Sequence, residues 1–298
     1  MQSDHDDHGV ATIFLICAMA GLFTAAGLAV DVSHHVFEAR SAQNSADATV
    51  LAVATDCART GSPIVDYSPY HKTGQSISTP ACGSGEATIT VTKPVNGGLL
   101  LSRDAHTVTR SATAKWGTLG TATTVPIVIS DCEFSQALLD GTTDITIYLD
   151  DTKPQSGCSS LPGGFSQLLN SNCAVTVDAG GTVAGDPGGD IMKQIPCITN
   201  ATAPALPHDV LIPMYDADAC QASGCNGHGP YPILGFAMFH VTGYSFNGNK
   251  YSGTLGNKCP DATRGKYCIR GDFIQFATSQ GTPGPSTDFG TYAVYLSS

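Results

Sequence analysis

From Val10 to Val30 the chain reads VATIFLICAMAGLFTAAGLAV, twenty-one residues without a charge. At 1.5 Å per residue a helix of that length covers about 30 Å, the thickness of a bilayer's hydrocarbon core. Nothing else in the sequence restricts the fold as strongly: such a run is either a membrane span or a leader that is removed. AMA at 18–20 offers a cleavage site, but the run exceeds a usual leader core and no Lys or Arg precedes it. The expectation is an uncleaved single-pass anchor in membrane lipid, with 1–9 as a cytoplasmic tail and 10–30 as the transmembrane helix. The flanking charges do not orient it, since MQSDHDDHG has no Lys or Arg and Arg40 follows the span. Cysteine does. Ten of the eleven follow the span, which predicts an extracytoplasmic, oxidising location for the C-terminal bulk.

The helical pattern outlasts the apolar run. Asp31–Asp56 contains neither Pro nor Gly, and Ala39, Ala42, Ala46, Val50 and Val53 recur at spacings of three and four. Glu38, Arg40, Asn44, Ser45 and Asp47 are expected on the opposite side. A continuous helix from Val10 to Asp56 would be about 70 Å long. Residues 31–56 then form an extracytoplasmic continuation, with a narrow stripe of small side chains suited to close packing on a sheet or a second helix.

Past Cys57 the pattern turns to period two between Gly, Pro, Ser and Asp clusters. Candidate strands are 86–93, 106–116, 124–130, 144–150, 174–180, 209–216, 234–246, 267–278 and 291–297. No long helical period separates them, so an antiparallel sandwich is expected for the β-rich ectodomain 57–298, with a division near Val125. Its cysteines, Cys57, Cys82, Cys132, Cys158, Cys173, Cys197, Cys220, Cys225, Cys259 and Cys268, read as a disulfide framework. Nearest-neighbour pairing gives Cys57–Cys82, Cys158–Cys173, Cys220–Cys225 and Cys259–Cys268, leaving Cys132 with Cys197. The rival reading is zinc held by Cys220, Cys225 and His228, without the paired knuckles such sites use.

Chemistry-bearing motifs are scarce. Net charge is -11, which excludes a nucleic-acid partner. CGSGE at 82–86 only approximates a nucleophile elbow and reads better as a Gly-rich turn. Asp150 and Asp151 point apart on a strand. Asp216 and Asp218 share a strand face and could take a cation, but Cys220 stands where a further ligand is needed. GDPGGD at 185–190 reads as a solvated turn, and His5 and His8 as part of a solvated tail. DVSHH at 31–35 is not a metal-dependent adhesion motif. Asn200-Ala-Thr202 is a glycosylation sequon. The expectation is no enzyme activity, no cofactor and no metal, with any small-molecule ligand left open.

GLAVDVSHHVFEARSAQNSADATVLAVA after an apolar span resembles the N-terminal segment of the TadE/TadG-like family of Flp (Tad) pilus assembly. Its G-L-A-x-D exit is matched by Gly27, Leu28, Ala29 and Asp31. Its x-A-x-x-Q-N-A-A-D-A-A-A-L-A-x-A run is matched by Ala42, Gln43, Asn44, Ala46, Asp47, Ala48, Leu51, Ala52 and Ala54, with Ser45 replacing an Ala. The resemblance covers 9–57. WG (116–117), ISDCEF (129–134), GGF (163–165), GFAMFHVTGYSF (235–246), CIRGDF (268–273) and YAVYL (292–296) resemble, more loosely, ectodomains of actinobacterial TadG-related proteins. True prepilins are cut after a Gly and need Glu at the fifth mature residue; after Gly9 the fifth is Phe14, so an uncut, non-pilin member is implied.

The fold expected is therefore α+β: a long pilin-like N-terminal transmembrane helix, then a mainly antiparallel β, disulfide-bonded ectodomain. The resemblance implies a membrane-anchored, non-catalytic structural or assembly component whose partners are other pilus-assembly or pilin-like subunits. Ala42, Gln43, Asn44, Ala46 and Val50 are the expected contact residues. The alternative is a tethered module that binds a glycan or surface polymer through exposed aromatics such as Tyr67, Tyr70 and Tyr231.

Overall fold

The computed structural model describes residues 8–63, 66–96, 106–139, 143–149, 168, 173–185, 206, 208–223, 225, 230–246, 250–253, 255, 258–261 and 266–297. A single helix, α1 (His8–Thr60), runs through the apolar segment and its continuation without a break. It ends where the sequence lets it. Gly61 adopts φ 70° and its N–H donates to the Cys57 carbonyl at 3.0 Å, a left-handed glycine cap that satisfies an orphan carbonyl. Over its apolar part the helix is bare on all sides: Phe14, Leu22, Phe23 and Val30 are each at least two-thirds exposed. It is the one described helix long and apolar enough to cross a membrane.

The chain divides into two compact units, one of 1–57, 61–115 and 296–298, the other of 58–60 and 116–295. In the first, β1 (Ser76–Ile77), β2 (Glu86–Val95) and the start of β3 (His106–Thr124) form an antiparallel sheet. Alternation sorts its faces. Ala87, Ile89, Val91, Ala112 and Ala114 are buried on one, while the other carries hydroxyl pairs, Thr88–Thr113 and Thr90–Ser111, each at 2.8 Å.

In the second unit, β4 (Ile129–Ser130), β5 (Ile145–Tyr148), β8 (His208–Tyr215), β9 (Pro230–Phe246) and β11 (Cys268–Ile274) pair in the order β4-β8-β9-β11-β5. β7 (Thr182–Ala184) and β10 (Lys250–Gly253) also pair with β9. The later part of β3 pairs with β6 (Val175–Asp178) and β13 (Thr282–Pro283), and β12 (Phe276–Thr278) lies parallel to β14 (Thr291–Ser297). β4 and β8 are parallel as well, so the sheets are mixed though mainly antiparallel. A long apolar helix followed by a mostly β, disulfide-bonded body is the fold class expected from the sequence.

β9 organises this unit because it is buried on both faces. Its register slips where Met214 faces Gly235 and Tyr215 faces Ile233, leaving Leu234 as the extra residue of a bulge. The slip reverses the alternation. Tyr231, Ile233 and Phe236 enter one core cluster with Val128, Val177 and Ala293, whereas Ala237, Phe239 and Val241 enter another with Ile147, Ile212 and Ile269. A second slip, between Arg270 and Gly271, brings Gly271 so close to β9 that a Cβ there would collide with the His240 carbonyl oxygen.

Two short helices replace expected strand or loop. ISDCEF turns into α2 (Asp131–Leu139) after Ser130, whose Oγ accepts the Cys132 N–H at 3.1 Å, so Phe134 projects from a helix and not from a strand. DADACQAS becomes α3 (Ala217–Ser223), capped by Asp216, whose Oδ1 accepts the Ala219 N–H at 2.8 Å. Asp216 and Asp218 therefore do not share a strand face.

Candidate assembly interface

The outer half of α1 has a covered side and an open side. Ala42, Ala46, Val50 and Val53 are wholly buried, with Thr49 at 0% and Ser45 at 5% exposure beside them. Two contacts fix how this side meets the sheet of its own unit. Lys93 on β2 donates to the Glu38 carboxylate, and the His35 and His106 rings approach to 4.4 Å between centroids. At the other end Cys57 is bonded to Cys82, just before β2, with the Cα atoms 5.5 Å apart. Residue 57 thus meets the start of β2 and residue 38 its end, so the helix runs antiparallel to that strand. Lys93 has the same parity as Ile89 and Val91, which puts its ammonium on the buried face at the edge of the apolar patch.

Of the expected contact residues, Ala42, Ala46 and Val50 are enclosed by the chain's own packing and offer no surface to a partner in this arrangement. Gln43 is half-buried, and its Nε2 donates to Asp47 Oδ1 at 2.8 Å, four residues on. Asn44 is exposed, as are Arg40 and Ala48. Glu38 and Ser45 lie on the covered side, not opposite it: a stripe of such small residues lets the sheet come close enough to enclose its flanks. Phe37, 61% exposed, carries the Lys72 ammonium 5.5 Å from its ring centroid. Neither Lys72, Lys93 nor His106 announces itself in sequence, because each reaches the helix through tertiary contact alone.

Among the aromatics expected to be exposed, only Tyr70 is. Tyr67 is 2% exposed and donates its hydroxyl to Asp56 Oδ2 at 3.0 Å, and Tyr231 is 1% exposed in the second unit's core. Burial pushes the Tyr231 phenol up to about 12 and raises Tyr215 further, with Glu133 adding to the shift. Burial also lifts Tyr292 to about 12, helped by its hydrogen bond to Asp288. These are protonated structural phenols.

Among the described cysteines, all but Cys17 are disulfide-bonded. Cys57–Cys82, Cys220–Cys225 and Cys259–Cys268 are bonded, so Cys220 and Cys225 are not zinc ligands. Cys132 and Cys173 are disulfide-bonded too. Cys158 and Cys197 lie outside the described residues, as do GGF at 163–165, Asp150–Asp151, residues 186–190, His228 and the sequon at 200–202. Cys17 is free on the exposed apolar helix. CGSGE is a tight turn, with the Gly83 N–H on the Glu86 carbonyl at 2.9 Å.

The second unit has a groove of about 380 Å³ rimmed by Thr121, Thr123, Thr176 and Asp209 over Met238 and Phe276. Asp209 Oδ1 lies 2.6 Å from His240 Nδ1. Among the described residues no three His, Cys, Asp or Glu side chains are grouped to hold a metal ion.

No curated protein and no solved structure matches the chain. Residues 9–56, which are α1 less its first residue and its last turn, match the family model described as "Putative Flp pilus-assembly TadE/G-like".

Proposed function

We propose that this protein is a membrane-anchored, non-catalytic subunit of a Flp (Tad) pilus-assembly apparatus. Its short N-terminal tail is cytoplasmic, its disulfide-bonded β units lie outside, and the open side of α1 around Gln43 and Asn44 meets another assembly or pilin-like subunit. The observation that carries this reading is the coincidence of the matched segment with one unbroken helix. Its inner half has apolar side chains on every side, and its outer half is covered along one side only. An apolar helix bare all round is satisfied by lipid, since no water-facing helix exposes so much apolar surface. An open strip left on the remainder, carrying Arg40 and Asn44, is the shape of a docking side. Ala42, Ala46 and Val50 act beneath it by holding the helix on its sheet.

The test is Asn44→Arg in a cell that makes such pili, with co-purification of assembly subunits and filament yield as readouts. Asn44 is exposed, so the folded unit should melt unchanged while co-purification falls. Undiminished pili and co-purification would overturn the docking side.

A further inference from the structure

The apolar surface of α1 does not stop at Val30. Val32, Val36 and Phe37 are 47%, 44% and 61% exposed, while Asp31 and Glu38, on the other side, are 5% and 9% exposed. The protein body therefore begins one residue past the apolar run, with no stem between. A bilayer including its headgroup layers is about 40–45 Å thick against about 30 Å for its hydrocarbon core. From Val10 to Phe37 the helix rises about 40 Å. With the helix crossing a bilayer, residues 31–37 and the groups packed on them stand at headgroup level.

Those groups are basic. Lys72 is exposed with its ammonium over the Phe37 ring, 5.5 Å from the centroid. Arg40 is exposed one turn further out, and Lys93 neutralises Glu38. Imidazoles crowd the same end: His35 lies against His106, and His34 is 3.8 Å from Glu38. The carboxylates of α1 itself at this level, Asp31 and Glu38, are both turned inward. In a chain of net charge -11, the exposed side chains of α1 from Asp31 to Arg40 thus include a cation and no anion. An exposed phenyl ring beneath an ammonium fits the boundary between acyl chains and phosphates.

We infer that the membrane-proximal end of the first unit binds the headgroups of acidic phospholipids, with Phe37 seated at the edge of the acyl layer and Lys72 and Arg40 facing the phosphates. This rests on the reading of α1 as a membrane anchor, and the experiment separates the two. The full-length Trp116→Phe protein is placed in nanodiscs of zwitterionic and acidic phospholipid, with Leu22→Trp, Phe37→Trp or Ala48→Trp added singly. Indole fluorescence is quenched by spin labels carried near the headgroup or deep in the acyl chain, on either lipid. The probe at 22 should respond to the deep label, the probe at 37 to the shallow label, and the probe at 48 to neither. At 37 the label should quench more when the acidic lipid carries it, and Lys72→Gln should lower that preference roughly fivefold, as expected for one basic residue at an acidic surface. No quenching at 37 with normal quenching at 22 overturns the inference, as does equal quenching from both lipids. No deep quenching at 22 overturns the anchor and the inference with it.

Discussion

The two units are packed on opposite principles. The first buries mostly small side chains, Ala42, Ala46, Ala87, Ala112 and Ala114, with Val50, Val53, Ile89, Val91, Val95 and Tyr67 as its bulkier members. The second buries Phe134, Phe236, Phe239, Phe246 and Phe289, several edge to face, with Phe134 4.8 Å from Phe273 and 5.0 Å from Phe289. Small side chains let a helix lie close on a sheet but remove little apolar area from water. The first unit therefore leans on discrete ties, Cys57–Cys82 and Glu38–Lys93, as well as on its core. The second holds itself by aromatic volume. One should fail when volume is added, the other when it is removed.

The harshest break of that contrast is Ala46→Arg, which forces an unpaired charge into a space that admits only a methyl group. It should destabilise the first unit by about 4 kcal/mol or more, seen as loss of hydrogen-exchange protection along β2 while β9 stays protected. Phe239→Ala should do the reverse, lowering the second unit's stability by about 3–5 kcal/mol in urea and leaving β2 protected. Replacing both Cys57 and Cys82 by Ser should cost the first unit about 2–4 kcal/mol. A loss close to zero would mean that the helix and sheet hold together without the tie. The smallest effect is expected at the Glu38–Lys93 pair. Glu38→Gln should weaken the first unit by about 1 kcal/mol, because the ion pair is neither fully buried nor fully solvated, and a double-mutant cycle with Lys93→Met isolates the pair.

Much of this was legible before the structure. An apolar run whose continuation over 31–56 lacks Pro and Gly announced one long helix, although the helix runs on to Thr60, where Gly61 ends it. Strands with clean alternation, 86–93 above all, were also readable. The helix at Asp131 left a signal that went unread: Ser130 with Glu133 three residues on is a capping-box pattern, hidden by the β-branched run before it. The reversal of faces within β9 has no such signal, since the bulge at Leu234 is set by pairing with a distant strand. Nor could small-residue spacing say what the stripe would meet. Ala42, Ala46 and Val50 suit a foreign helix as well as the chain's own sheet, and only the long-range contacts at Lys93 and His106 decide between them.

In the proposed role α1 has one side for its own sheet and another for a partner. The most direct measurement is photocrosslinking in native membranes from a probe at Asn44, with the captured protein identified by mass spectrometry. Capture of a pilin-like or assembly-platform subunit is the predicted result. Products confined to the protein's own β2 and β3 would contradict it, making the helix a tether whose outer half serves only internal packing.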